Sequence, residues 1–166
     1  MLKNILNKFP YLYYNMNMEI YFFALTSEKK GFYGMNYNKS IIKNGITFHK
    51  VTTNKFKTNL FAIFLTTPIT RETVTKNALI SAVLRRGTNN IPTQEGISKE
   101  LENMYGASFD CGIEKNGDNQ ILKFYIESIN DEFLPKQENL AQKSLQLLSD
   151  IVFNPYTPVQ NNPCIP

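Results

Sequence analysis

Histidine is nearly absent. The 166-residue chain holds one, His49, so a site built on two imidazoles is excluded within this polypeptide, and a mononuclear zinc-hydrolase centre would need an unusual ligand set. Cysteine is scarce too: Cys111 and Cys164 are too few for a disulfide framework and form no Cys-x-x-Cys pair. That usage suits a reduced, cytoplasmic protein. No stretch approaches the ~20 apolar residues of a membrane span. The lead FPYLYYNMNMEIYFFAL is broken by Pro10, Asn15, Asn17 and Glu19 before it gains the quality of a signal peptide, so neither secretion nor membrane contact is expected. Also missing are a Gly-x-Ser-x-Gly elbow and a Gly-x4-Gly-Lys-Ser/Thr phosphate loop; the eight glycines are dispersed at chain turns.

What is present suffices for a folded domain. A hydrophobic fraction of 42% with 13% aromatics lies in the globular range, and the length allows one sizeable core. The net charge of +4 is uneven, because residues 1–60 carry nine Lys against two Glu. A small basic module for nucleic acid or another polyanion is therefore an alternative reading. Against it, Lys29, Lys30, Lys39, Lys43, Lys50, Lys55 and Lys57 are scattered rather than gathered on one element with interleaved aromatics, which favours a solvated surface and no nucleic-acid partner.

Residues 1–40 show no clear period and read as an irregular, disorder-prone lead. From Gly45 the pattern sharpens. ITFHKV and FKTNLFAIFLTT are β-branched and aromatic runs, expected as two strands joined by a hairpin or short loop, the second ended by Pro68. Thr70 as N-cap, Glu72 in the first turn and Gly87 as stop predict a helix reaching Arg86. A second helix follows, capped by Thr93 and carrying Ile97, Leu101 and Met104 on one stripe before Gly106. Residues 107–114 and 120–128 alternate as paired strands around a turn at Asn116-Gly117-Asp118, and a last helix spans 137–153. The Pro-rich tail, residues 156–166, reads as loop or disorder. Paired strands with helical blocks between them predict an α+β fold: an antiparallel sheet with helices packed on one face, occupying residues 41–155.

Few residues invite chemistry. His49 reads as a surface or edge-strand histidine, Cys111 as a buried structural thiol between Phe109 and Ile113, and the acidic pairs Glu100/Glu102 and Asp131/Glu132 as solvated charge. Arg85 and Arg86 have a structural reason to sit at a helix C-terminus, and are the one charged pair with a candidate role in partner or anion contact.

From Gly45 to about Pro155 the succession of elements resembles the N-terminal domain of the insulinase/pitrilysin zinc peptidases, which include the mitochondrial processing peptidase. The phrases that carry the likeness are FKTNLFAIFLTT, a helix ending at Gly87-Thr88, LENMYGASFD and ILKFYIESIN. Matching Gly87-Thr88 to the family's Gly-Thr puts the His-x-x-Glu-His positions on Ala78, Ser81 and Ala82, spaced i, i+3 and i+4 on one helix. None of the three supplies the expected ligand or base. The resemblance thus implies a truncated half-domain of a non-catalytic subunit, without zinc or other cofactor. It also implies pairing with an active insulinase-like paralogue, a share in binding peptide substrate, and small side chains closing the space of the lost metal. An apolar face left uncovered by truncation would favour homo-oligomers.

Overall fold

Residues 19–27, 35–136 and 138–156 are described by this computed structural model. In chain order they form β1 (Glu19–Ser27), β2 (Met35–Lys43), β3 (Ile46–Thr53), β4 (Thr58–Pro68), α1 (Val74–Leu84), α2 (Gln94–Asn103), β5 (Ser108–Asn116), β6 (Asn119–Ile129), a single 3-10 turn (Asp131–Phe133) and α3 (Leu140–Phe153). The six strands make one sheet in the order β2-β3-β1-β4-β6-β5. The fold is α+β, as the sequence pattern indicates.

Period-two alternation decides which sheet face the helices cover. On β6, Leu122, Phe124 and Ile126 are almost wholly buried, and they lie opposite Leu65, Ile63 and Phe61 of β4. Ile20, Phe22 and Ala24 of β1 extend the same face. Leu84 of α1, Ile97 of α2 and Leu140, Leu147, Leu148 and Ile151 of α3 join those side chains in one hydrophobic cluster. At ~25 cal/mol per Å² of apolar area removed from water, this shared layer is the main source of stability; truncating a fully buried ring such as Phe124 to Ala costs about 3–5 kcal/mol. Among the described residues no helix packs on the opposite face, where Tyr21, Phe23 and Phe64 are half-buried.

Three expectations need correction. The lead is not irregular throughout, since β1 and most of β2 fall within it; residues 1–18 and the tail beyond Tyr156 lie outside the described residues. The sheet therefore begins well before residue 41. Next, of the two connections expected between β3 and β4 the short loop, residues 54–57, is present and the hairpin is not: β1 lies between them, parallel to β3 and antiparallel to β4. With Ile20, Phe22 and Ala24 on one face and Tyr21, Phe23 and Leu25 on the other, β1 is apolar on both sides, which suits a central strand. Finally, the first helix starts at Val74, not after Thr70. Thr70 instead accepts the Thr73 backbone N–H on its hydroxyl at 3.2 Å, closing a turn that leaves Glu72 outside the helix.

Other boundaries fall where local chemistry places them. The Thr93 hydroxyl accepts the Gly96 N–H at 3.1 Å and caps α2. Gly117 adopts φ 59° in the two-residue loop between β5 and β6, a left-handed conformation that glycine takes without steric cost.

Candidate functional site

Helix α1 carries Ala78, Ser81 and Ala82, the residues that the resemblance sets at the motif positions. It turns Asn77 and Leu84 into the protein and packs over β5 and β6. Ala78 and Ala82, one turn apart, share a face as their spacing requires, but that face is open to solvent. Ser81 sits at the margin, half-buried, with its hydroxyl donating to the Ala78 carbonyl at 3.4 Å. Two methyls and a self-satisfied hydroxyl offer nothing to a cation. Among the described residues nothing packs over the two alanines, which face solvent. Among the described residues no group of three His, Cys, Asp or Glu converges as a metal site.

A polar seam ties this helix to the edge strand β5. Cys111 Sγ lies 3.5 Å from the Ser81 carbonyl, to which it donates. Next to it, the Asp110 carboxylate accepts the Tyr125 hydroxyl at 2.9 Å and the Cys111 backbone N–H at 2.8 Å. These two bonds, with Arg85 adding a smaller attraction, hold the Asp110 carboxyl below its usual range. Tyr125 is pushed above the ordinary phenol value by the same bond. The Cys111 thiol is also pushed up, mainly by burial and despite Arg85. Burial disfavours the thiolate, which suits Cys111 to packing rather than to a nucleophile's role.

The Gly-Thr that follows α1 has a structural explanation. Thr88 is fully buried; its N–H donates to the Ile91 carbonyl at 2.7 Å and its hydroxyl accepts the Ile91 N–H at 2.9 Å. Tyr156 N–H donates to the Gly87 carbonyl at 3.0 Å, and Asn89 pairs with Asn154 through both backbone and side chain. This loop therefore locks the end of α1 to the end of α3.

Two surfaces beside α1 are open. The outer strand edge of β5 has no partner among the described residues. On the helix itself, Leu79 and Val83 are more than half exposed and, with Ile80, Pro155 and Tyr156, line an apolar groove of about 250 Å³.

Of the other sequence candidates, Arg85 caps the helix C-terminus and Arg86 follows it, both exposed. His49 is half-buried on β3, its Nδ1 2.7 Å from the Tyr37 hydroxyl on the edge strand. The acidic pair at 131–132 is more than solvated charge, because Asp131 Oδ1 accepts the backbone N–H groups of Glu138 and Leu140 at 3.1 and 2.9 Å, serving the start of α3. A carboxylate a few residues before a helix was the available signal.

No protein-family model matches the chain. A curated Bacillus subtilis (strain 168) protein named "Probable inactive metalloprotease YmfF" is 39% identical over 111 residues, covering 67% of this chain and 26% of that protein. The chain thus spans about a quarter of the length of this relative. A crystal structure of a conserved protein from Enterococcus faecalis V583 superposes with a TM-score of 0.70 at 27% identity, over 75% of this chain and 29% of that one. The chain is therefore similar to a metalloprotease homologue that bears an inactive designation. No described helix is long and apolar enough to cross a membrane.

Proposed function

We propose that this chain is part of a non-catalytic homologue of the insulinase-type peptidases, one that holds an extended peptide and works beside an active paralogue. The observation that carries this reading is the face of α1 bearing Ala78, Ser81 and Ala82, which the resemblance aligns with the triad and which presents neither imidazole nor carboxylate. The inactive designation of the Bacillus relative supports the non-catalytic part.

Peptide holding follows from the neighbouring edge. β5 presents unpaired backbone groups beside α1, and an extended segment can add there as a further antiparallel or parallel strand. Main-chain hydrogen bonds make such binding tolerant of sequence, as a chain that handles unfolded peptide needs. The apolar groove on the other flank of α1, lined with Leu79, Ile80, Val83, Pro155 and Tyr156, is a surface separate from this edge. Arg85 and Arg86, exposed at the helix end, suit contact with a partner's carboxylates.

Affinity capture from native cells tests the pairing. Recovery of a homologue with an intact His-x-x-Glu-His is expected; recovery of unrelated proteins alone would overturn it.

A further inference from the structure

Among the described residues the sheet has a second edge without a partner strand, at the end away from α1. β2 closes the order at the end opposite β5, and eight of its nine residues are exposed. On the side that the helices leave uncovered it displays Met35, Tyr37 and Ile41, which are 66%, 55% and 75% exposed, with Lys39 between them. An exposed edge strand bearing large apolar side chains is a template for another strand.

We infer that β2 is a self-association surface, pairing antiparallel with β2 of a second copy about a two-fold axis at Asn38. Two observations select this occupant and this register. The pairing of β2 with β3 is regular from Met35 to Ile41 and shifts between Ile41 and Lys43, so the straight part of the edge is seven residues long and its midpoint is Asn38. That segment, MNYNKSI, is palindromic in character: an apolar residue at each end, polar residues at the second, fourth and sixth positions, and Tyr37 mirrored by Lys39.

The pairs that this register would make agree with them. A two-fold axis at Asn38 sets Ile41 across from Met35 of the other copy, an apolar pair made twice, and sets each Lys39 across from a Tyr37 ring, where an ammonium is attracted to the π face. Moving the axis by one residue to Lys39 would oppose two lysines directly, which is unfavourable. Residues at 36, 38 and 40 then pair polar with polar on the other face.

Directly opposed strand residues lie about 4.5–5.5 Å apart at Cα, within disulfide range, whereas positions four residues out of register are more than ~13 Å apart. A Cys111→Ser, Cys164→Ser background therefore reads the register. With Asn38→Cys added, mild diamide oxidation is expected to give a disulfide-linked dimer; Asn36→Cys alone should give little, and Asn36→Cys with Ser40→Cys should restore it. Analytical ultracentrifugation of the unmodified chain should show a concentration-dependent dimer whose dissociation constant rises at least tenfold with Ile41→Asp. The β2 positions Asn36, Asn38, Ser40 and Ile41 are exposed, and circular dichroism checks that each variant stays folded. A monomer at every concentration, a dimer indifferent to Ile41→Asp, or equal cross-linking at 36 and 38 would overturn the proposal. Peptide binding at β5 is read in a separate assay, so either reading can fail alone.

Discussion

Gly87 stands so close to Pro92 that a Cβ built on it would lie 2.6 Å from the Pro92 carbonyl carbon and 2.7 Å from its oxygen. Both atoms are backbone and cannot swing aside. Gly87→Ala should therefore displace the loop between α1 and α2, which is hydrogen-bonded to the end of α3, and cost about 1–3 kcal/mol, the usual range for overpacking. Urea denaturation checks this, and an unchanged midpoint would remove the structural explanation for the Gly-Thr.

The Asp110–Tyr125 pair gives a pH-dependent signature. The folded-state pKa of Asp110 is lowered, so its contribution is present above the unfolded value and is lost as pH falls through the folded one. That of Tyr125 is raised, so its contribution is present below 10.0 and is lost as pH rises through the higher folded value. Tyr125→Phe removes the largest cause of the Asp110 shift; carboxyl-resolved NMR titration should show that acid moving up toward 3.8. Because the pair is close to water, the effect on stability should be small.

Asp131 is expected to matter more to folding than to any chemistry. Its Oδ1 satisfies two backbone donors at the start of α3, and Asp131→Ala should cost about 1–2 kcal/mol by thermal unfolding, as loss of a helix cap does. Asp131→Asn keeps an oxygen acceptor and should cost less.

Restoring the motif should not restore the enzyme. Ala78→His and Ala82→His place two imidazoles on one exposed helix face, with Ser81→Glu beside them. No further His, Cys, Asp or Glu cluster among the described residues converges there, so at most weak zinc binding is expected by calorimetry, without peptide cleavage.

How far the sequence foretold this molecule depended on contrast between faces. β6 was legible because Leu122, Phe124 and Ile126 alternate with Lys123, Tyr125 and Glu127. β1 was not, since both of its faces are apolar and the period-two signal vanishes for a strand flanked by neighbours. Nor could local pattern reveal that β1 separates β3 from β4, a parallel pairing reached only through the intervening β2. In the site, the spacing of Ala78, Ser81 and Ala82 was read from sequence; their outward direction was not, because an alanine is equally at home inside and outside. Asp110 and Tyr125 meet across two strands, a contact that depends on the β5–β6 register and has no signature within either strand alone.

The central claim is that this chain holds peptide without cutting it. The most direct test is to titrate an unstructured peptide of about 20 residues, with zinc present, into the isotope-labelled chain, following backbone amides by NMR and the peptide by mass spectrometry. Shifts concentrated on Ser108–Asn116 and Val74–Leu84 with the peptide recovered intact are the expected result; cleaved peptide, or no shift along that edge and helix, would contradict it.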